Sequence, residues 1–238
     1  MFSEETMLVT GGSGLLGTAL KKIFPRAIYP GKEDFNICDL DQITGFLEKN
    51  RVETIFHGAA FTSPPKVDKE PIKAIDVNII GTSNIVKVAA KFGCKVVYIS
   101  TDYVFKGDKG NYKEDEPVFP VNNYAWSKLG GECAVRLYDN SLIIRTTFGP
   151  DVFPYEKAFT DQWTSRESVS KTAQMIKLLL EKDSRGVVHV AGDRKTVHEY
   201  AIRLSPDKNI GGLSINDVNF KVPKDTSLNN EHFKKLIS

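Results

Sequence analysis

Short apolar segments alternate with amphipathic segments along most of the chain. Runs rich in Val, Ile and aromatic residues predict β-strands, and apolar residues at helical spacing predict helices between them. The predicted strands are residues 7–10, 27–29, 54–57, 95–100, 142–145 and 186–190. The predicted helices are residues 15–24, 40–49, 75–92, 124–138, 168–181 and 198–204. This alternation predicts an α/β fold with a Rossmann-type, doubly wound parallel sheet.

Composition and charge narrow the classes of protein. The chain has 238 residues, of which 41% are hydrophobic, so it is long enough to bury a substantial core. Its net charge of +2 gives no strong attraction for nucleic acid or for an anionic membrane. Cys38, Cys94 and Cys133 are odd in number and lack metal-ligand spacing, which argues against a disulfide framework and a metal site. We therefore expect free thiols, with no metal and no nucleic-acid partner.

The amino-terminal sequence MFSEETMLVTGG is acidic and lacks the apolar core of a signal peptide. No apolar stretch reaches the length that is needed to span a membrane. We therefore expect a cytoplasmic protein that does not associate with membranes.

Four glycines crowd the junction between the first predicted strand and the first predicted helix, in the segment TGGSGLLG. Two registers are open. Gly12-x-Gly14-x-x-Gly17 has the usual dinucleotide-loop spacing, and Gly11-x-x-Gly14-x-x-Gly17 has the spacing of short-chain dehydrogenases. In either register the missing side chains allow backbone N–H groups and the helix N-terminus to meet a pyrophosphate. The segment therefore predicts a dinucleotide site.

The adenosine end of such a site usually has a carboxylate after the second strand, about twenty residues beyond the loop. Here the sequence reads YPGK at residues 29–32. A cation suits a 2′-phosphate, so Lys32 favours NADP(H) over NAD(H); the alternative is an ordinary surface lysine. Asp39 is a candidate for binding the adenine amino group, and an N-cap role in the following helix explains it equally.

A hydroxyl-bearing strand end and a Tyr-Lys pair supply candidate catalytic groups. Ser100 and Thr101 end the predicted strand KVVYIS beside the expected cofactor site. Tyr124 and Lys128 are four residues apart on a predicted helix and so share one face. Because a nearby ammonium favours phenolate, we expect Lys128 to lower the pKa of Tyr124 from about 10. Tyr124 then exchanges a proton with a substrate oxygen that Thr101, with Ser100, orients.

These segments resemble the extended short-chain dehydrogenase/reductase superfamily, and within it most resemble the dTDP-4-dehydrorhamnose reductases. The matching segments include TGGSGLLG, HGAAFT at residues 57–62, STDYVFKG at residues 100–107 and NNYAWSKLGGE at residues 122–132. The resemblance covers about residues 7–147. It implies transfer of a hydride from NAD(P)H to the C4 ketone of a nucleotide-linked 4-keto-6-deoxy sugar.

The resemblance also implies roles for individual residues. Tyr124 protonates the new alkoxide, Lys128 contacts the nicotinamide ribose, and Thr101 hydrogen-bonds the carbonyl; these three are the predicted catalytic residues. Asn78 is expected to support Lys128. The predicted cofactor-binding residues are Gly11, Gly14, Leu15, Leu16, Gly17, Lys32, Asp39, Leu40, Ala59, Ala60, Thr62, Asn78, Ser100, Tyr124 and Lys128.

Departures from the family pattern concern the substrate side. The segment WTSR at residues 163–166 replaces the family's Gly-x-Pro-Thr. The polar residues 205–238 give no predicted element and are expected to lack the family's last helix. We predict a dinucleotide-binding domain of residues 1–145, to which residues 166–195 return. The remainder of residues 146–238 is predicted to form a small, shortened C-terminal substrate lobe.

The leading hypothesis is an NAD(P)H-dependent reductase of a nucleotide-activated 4-keto-6-deoxy sugar. Tyr103 stands where dehydratases of the superfamily carry a glutamate, so dehydration is disfavoured. Two alternatives stay open. One is a non-catalytic NAD(P)-binding regulatory subunit, because the superfamily includes the regulatory subunit of methionine adenosyltransferase. The other is an NAD-dependent sugar-nucleotide epimerase.

The sequence also suggests roles for one arginine and two histidines, and an oligomeric state. For Arg145, which ends a strand on the ligand side of the sheet, phosphate binding and a structural ion pair are both open. His57 and His189 are expected to be core histidines. The superfamily resemblance implies a homodimer through the helices at residues 75–92 and 124–138.

Overall fold

The computed structural model describes residues 2–219 and 222–238. Its strands are β1 Met7–Thr10, β2 Thr54–His57, β3 Lys95–Thr101, β4 Ser141–Thr146, β5 Phe148–Gly149, β6 Lys157–Phe159, β7 Trp163–Thr164, β8 Glu167–Ser168, β9 Gly186–Val190, β10 Lys195–Thr196 and β11 Gly211–Leu213. Its α-helices are α1 Leu15–Ile23, α2 Leu40–Lys49, α3 Pro64–Lys69, α4 Pro71–Ala74, α5 Thr82–Phe92, α6 Asn123–Arg136, α7 Val169–Leu180, α8 Val197–Leu204 and α9 Glu231–Ile237. A π-helical segment, Ile75–Gly81, joins α4 to α5, and 3₁₀ turns occupy Glu4–Thr6, Asp102–Val104 and Ile215–Asp217.

Five parallel strands form the central sheet, in the order β1-β2-β3-β4-β9. The strands β3 and β4 run past the end of β2, because His57 pairs with Tyr98 whereas Thr101 pairs with Thr146. The carboxyl ends of all five strands therefore lie along one edge of the sheet, which is the edge where such folds bind ligands. The predicted Rossmann-type α/β fold is confirmed.

Helices cover both faces of the sheet. Met7 and Val9 of β1 pack with α1, α7 and α9 on one face, whereas Leu8 between them packs with α2 and α5 on the other. This alternation follows from the two-residue period of a strand. Leu8 also pairs with Ile28, on the side of β1 away from β2. The chain thus winds in both directions from β1, and the crevice beyond β1 is the expected ligand position.

The predicted strand at residues 27–29 is reduced to the single bridge between Leu8 and Ile28. Two backbone hydrogen bonds of 2.8 Å hold it, from Val9 N to Ile28 O and from Ile28 N to Met7 O. Proline flanks the segment at Pro25 and Pro30, and proline lacks the N–H that a longer ladder needs. The pairing is therefore short.

Two other helical segments differ from the sequence prediction. The helix predicted at residues 75–92 is α-helical only from Thr82 and is preceded by the π-helical segment. Residues 205–238, which gave no predicted element, contain α9, and this helix packs Phe233 into the same core as α7 and β9. Phe233 is the buried residue of this short helix, so its apolar periodicity was too weak to detect.

Within residues 2–219 and 222–238, no helix combines the length and the apolar character that crossing a bilayer requires. The same residues contain no group of three or more His, Cys, Asp or Glu placed to hold a metal ion. The two-lobe division and the homodimer stay predictions.

Candidate active site

The glycine loop between β1 and α1 depends on close backbone contacts. Gly14 N donates to Gly11 O over 3.0 Å, which closes the turn into α1. A Cβ at Gly17 would lie 2.3 Å from Gly11 O and 2.6 Å from Gly12 Cα. Gly11 has a φ of +75°, and a Cβ there would lie 2.7 Å from Ala59 N. No residue with a side chain fits at either position, so Gly11 and Gly17 are required by the packing of the loop.

A buried hydrogen-bond chain joins the loop to the end of β2. Thr10 Oγ1 lies 2.8 Å from His57 Nδ1 and accepts from Ala59 N over 3.1 Å. His57 Nε2 lies 3.0 Å from Thr82 Oγ1. Burial lowers the pKa of His57 to about 3, and the charge of Lys128 adds to that effect. His57 is therefore a neutral core histidine that fixes the turn at Ala59, as the sequence predicted.

The adenosine end of the crevice carries two lysines. Lys32 and Lys21 both line it, and Lys21 Nζ lies 5.2 Å from the ring centroid of Tyr29. Asp39 and Leu40, which were predicted to bind the cofactor, are not among the lining residues. Asp39 caps α2 instead, because its Oδ1 accepts from Gln42 N over 2.9 Å.

The end of β3 supplies hydroxyl groups to the middle of the crevice. Thr101 Oγ1 donates to Asp102 Oδ1 over 3.1 Å and accepts from Tyr103 N over 3.2 Å. Ser100 Oγ donates to Glu132 Oε2 over 2.8 Å. Asp102 is also held by Thr226, whose Oγ1 donates to Asp102 Oδ2 over 2.7 Å. Both predicted hydroxyls thus reach the crevice wall in fixed orientations.

Helix α6 brings the Tyr-Lys pair to the same wall. Its N-cap, Asn122, accepts from Ala125 N over 2.8 Å and so starts the helix next to Tyr124. A Cβ at Gly131 would lie 2.5 Å from Asn78 O, so this glycine lets α6 approach the π-helical segment closely. Asn78 Nδ2 donates to Ser127 Oγ over 2.8 Å. Asn78 therefore supports the helix turn before Lys128 from the interior, away from the crevice wall.

The electrostatics of the pair differ from the sequence prediction. Burial raises the pKa of Tyr124 above its ordinary value, and the nearby Asp102 and Tyr103 raise it further. Burial lowers the pKa of Lys128 to about 7, although the Glu132 carboxylate opposes this shift. The expectation that Lys128 lowers the phenol pKa is therefore wrong for the protein alone. A half-charged lysine attracts a phenolate only weakly, and the phenol stays protonated at neutral pH.

Arg145 forms a buried ion pair behind the site. Its Nη2 lies 2.7 Å from Glu132 Oε1, and both side chains are at most 1% exposed. Arg145 Nη1 also donates to Glu114 O over 3.2 Å. Burial alone would raise the pKa of Glu132, but the hydrogen bond and charge of Arg145 hold it below its ordinary value. Of the two roles left open for Arg145, the structure therefore supports the ion pair.

The glycine loop, the end of β3 and α6 face one continuous cleft of about 1080 Å³. The predicted residues on its wall are Gly11, Gly14, Leu15, Leu16, Gly17, Lys32, Ala59, Ala60, Thr62, Ser100, Thr101, Tyr124 and Lys128. Asp39, Leu40 and Asn78 lie off the wall. This volume is at the upper end of the roughly 300–1,000 Å³ of small-molecule sites, so the cleft is large enough for a dinucleotide and a second ligand beside it.

The charged side chains that line the cleft are mostly basic. Among the described residues, its charged side chains are the basic Lys21, Lys32, Lys128 and Arg166 and the acidic Asp102. An excess of positive charge in a concave site favours a polyanionic ligand. Together with the backbone cradle at Gly11 and Gly17, this charge fits a dinucleotide phosphate cofactor.

The sequence did not predict the far end of the cleft, which is formed by residues after β4, on the side of β3 away from β1. Thr147, Phe148, Tyr155 and Arg166 line this end. Tyr155 is 68% exposed there. The sequence signal for this region was the departure from the family pattern at residues 163–166. That departure was assigned to the substrate side, and Arg166 was not recognised there as a candidate binding residue.

A glycine loop after the first strand, a threonine at the end of β3 and a Tyr-x-x-x-Lys pair on α6 define the site of a short-chain dehydrogenase/reductase. Residues 5–177 match the family described as RmlD substrate binding domain. The match spans most of the chain, and the chain belongs to this family.

Solved structures and curated relatives place the chain more closely. It is similar to a hypothetical dTDP-4-dehydrorhamnose reductase from Sulfolobus tokodaii, with a TM-score of 0.86, 32% identity, and coverage of 98% of this chain and 94% of that one. The reductase from Bacillus anthracis, solved in complex with NADP, gives a TM-score of 0.87 at 27% identity, covering 98% and 93% of the two chains. Methionine adenosyltransferase 2 subunit beta of Pongo abelii is 28% identical over 87% of this chain and 73% of its own length.

Proposed function

We propose that the protein is an NADPH-dependent reductase of a keto group on a nucleotide-activated 4-keto-6-deoxy sugar. The observation that carries the proposal is the presence of Thr101, Tyr124 and Lys128 on the wall of the cleft that begins at the glycine loop. A dinucleotide bound at that loop would extend along the same wall. The site thus holds a proton donor and a cofactor cradle in one cleft.

The residues of the chain supply binding, orientation and a proton. When bound at the loop, the reduced cofactor supplies the hydride. Thr101 Oγ1 donates to Asp102 Oδ1 in the protein alone, and it would exchange this hydrogen bond for one to the substrate carbonyl oxygen. Tyr124 is protonated at neutral pH because its pKa is raised, so its hydroxyl donates the proton that the new alcohol requires. Lys128, which lines the same cleft, would contact the cofactor ribose, as the family resemblance implies.

NADP(H) is proposed over NAD(H) because Lys21 and Lys32 line the adenosine end, where an NAD-type site would carry a carboxylate. The related Bacillus anthracis structure contains NADP, which supports the same choice. Lysines at a rim bind a 2′-phosphate through a salt-sensitive charge interaction.

The test is oxidation of NADPH and of NADH in the presence of dTDP-, UDP- and GDP-linked 4-keto sugars. We expect NADPH oxidation with at least one of them, and a loss of about 10²- to 10⁴-fold in Tyr124→Phe, because general acid catalysis contributes that much. Tyr138→Phe is the matched control, since the Tyr138 hydroxyl donates to Cys94 O over 2.9 Å, outside the cleft wall. Turnover that survives in Tyr124→Phe would contradict the assigned proton donor.

A second candidate function is a regulatory subunit. The alignment with methionine adenosyltransferase 2 subunit beta covers 87% of this chain, more than the 60% covered by the Aggregatibacter actinomycetemcomitans dTDP-4-dehydrorhamnose reductase. Stable co-purification with a methionine adenosyltransferase catalytic chain, together with no turnover on any keto sugar, would favour this function over the reductase.

A further inference from the structure

Arg166 is a half-buried cation on the wall of the far end of the cleft, one residue before β8. Its side chain runs beside Gly149, where an added Cβ would lie 3.7 Å from Arg166 Cδ. Its Nε donates to Thr147 Oγ1 over 3.4 Å, and Thr147 is only 7% exposed. The guanidinium is therefore held at the cleft wall and is not a freely moving surface group.

The neighbouring carboxylate does not neutralise Arg166. Glu167 is buried and is surrounded by three other cations: Lys171 and Lys195 at 3.3 Å and Arg203 at 2.5 Å. Successive side chains of an extended segment point to opposite sides, which separates Glu167 from the cleft. Within the described part of the chain, no carboxylate oxygen lies within 4.0 Å of the Arg166 guanidinium.

Arg166 lines the same cleft as Asp102, Tyr103 and Tyr124. Burial raises the pKa of Asp102 and of Tyr103, and the charge of Arg166 opposes the rise in both. Asp102 is already engaged by Thr226 and Thr101. Arg166 therefore lies near Asp102 and hydrogen-bonds the Tyr103 hydroxyl, and its side-chain hydrogen bonds to Tyr103 and Thr147 are made to neutral hydroxyl groups.

We propose that Arg166 binds the diphosphate that links the sugar of the substrate to its nucleoside. The identification of that anion as a diphosphate rests on the proposed function. A half-buried guanidinium that no carboxylate contacts within 4.0 Å is stabilised when a ligand supplies an anion, and the fork of arginine matches two phosphate oxygens at once. With the carbonyl oxygen at Tyr124 and the diphosphate at Arg166, the sugar ring would lie between the two groups. Arg166 is thus a specificity-determining residue that selects sugars activated with phosphate.

The test measures binding without turnover. Pyrophosphate, dTDP, UDP and glucuronate are titrated by calorimetry into wild type, Arg166→Gln and Arg166→Lys, with and without saturating NADP⁺. We expect Arg166→Gln to weaken binding of the three phosphate ligands by about 10- to 100-fold, as expected for loss of charge-assisted hydrogen bonds. Arg166→Lys should lose less, because it keeps the charge without the fork. Affinity for NADP⁺ should not change.

Arg51→Gln is the charge control, because Arg51 has an 82% exposed side chain and precedes β2 at the opposite edge of the sheet. Thermal unfolding of each variant establishes that it is folded. Equal affinities of wild type and Arg166→Gln for the phosphate ligands, or no binding of them to wild type, would overturn the proposal. The proposal would also be overturned if Arg166→Gln weakened the binding of glucuronate but left the affinity for the phosphate ligands unchanged. Arg166-dependent phosphate binding in a protein that reduces no keto sugar would retain the phosphate site and refute only the reductase function.

Discussion

The two ends of the cleft are built by different means. At the glycine loop the surface is made by backbone, and Gly11 and Gly17 leave no room for a Cβ. Beyond Tyr124 the surface is made by side chains, chiefly Thr147, Phe148 and Arg166. The loop itself therefore depends on backbone geometry, and the side chains of Lys21 and Lys32 beside it add only charge. The second end depends on which side chains are present, so it can change ligand without changing the fold.

This difference in construction bears on how well the cofactor and the substrate can each be inferred. A backbone cradle with a helix N-terminus recognises a pyrophosphate in any protein that keeps the glycines. At the other end the chain carries WTSR at residues 163–166, a segment that departs from the family pattern. The cofactor is therefore the better determined half of the proposed function, and the substrate depends on a few exchangeable side chains.

The largest expected effect is a loss of stability from breaking the buried ion pair between Glu132 and Arg145, which lies behind the cleft. Glu132 lies one helical turn after Lys128 and pairs with the buried Arg145, and Ser100 donates to it. Glu132→Gln leaves the Arg145 charge buried without a counter-ion, so we expect a loss of about 3–5 kcal/mol in the free energy of unfolding. Urea denaturation measures it. Arg136→Gln removes the half-exposed partner of the same carboxylate and should cost at most about 1 kcal/mol. Similar losses in the two variants would contradict the buried ion pair.

Much of the fold and part of the site followed from local sequence patterns. The strand-loop-helix position of TGGSGLLG identified the cradle because its physics is local: a strand end, missing side chains and a helix start. Tyr124 and Lys128 were found for the same reason, as a pair on one helix face. Their pKa values were not predictable, because those depend on burial and on Asp102 and Glu132 brought in by folding.

Other features depend on contacts between distant segments. The proposed role of Arg166 depends on the ion pairs that Lys195 and Arg203 form with Glu167. Both cations lie far from Glu167 in the sequence, so local patterns do not predict these pairs. Asp39 satisfied a cofactor pattern and a capping pattern equally, and only the hydrogen bond to Gln42 N distinguishes them. The last helix was missed because it buries little more than Phe233.

A smaller effect, and one confined to the cofactor end, is expected from a single methyl group. Gly17→Ala places a Cβ against the backbone of Gly11 and Gly12, so the loop must shift. We expect a loss of about 1–3 kcal/mol in stability, typical of overpacking, and NADPH binding weakened by more than about tenfold. Gly45→Ala is the matched control, because nothing lies within 4 Å of an added Cβ in the middle of α2. It should gain about 0.5–1 kcal/mol and leave NADPH affinity unchanged. Urea denaturation and NADPH titration of the two variants measure the opposite changes in stability and the loss of NADPH affinity expected only in Gly17→Ala.

Acid sensitivity compares two regions of the core through their buried histidines, one beside the glycine loop and one in β9. His57, beside the glycine loop, has partners on both nitrogens. His189, in β9, bonds Asn229 O through Nδ1 over 3.3 Å, and its buried Nε2 has no partner among the described residues. Burial lowers the pKa of both to about 3, with the Lys128 charge adding at His57 and the Arg145 charge at His189.

Because the unfolded chain takes up protons near pH 6.5 and the folded chain does not, stability falls as pH drops from 6.5 towards 3. At pH 5.5 each histidine should cost about 1.4 kcal/mol relative to pH 7.5 or above. Replacing either one, as His57→Gln or His189→Phe, should reduce this loss by about half. The two should differ at pH 7.5, where His57→Gln disrupts the bonds to Thr10 and Thr82 and His189→Phe removes an unpartnered nitrogen. Urea denaturation across this pH range measures both quantities, and an unchanged acid slope in His189→Phe would show that His189 is protonated in the folded protein.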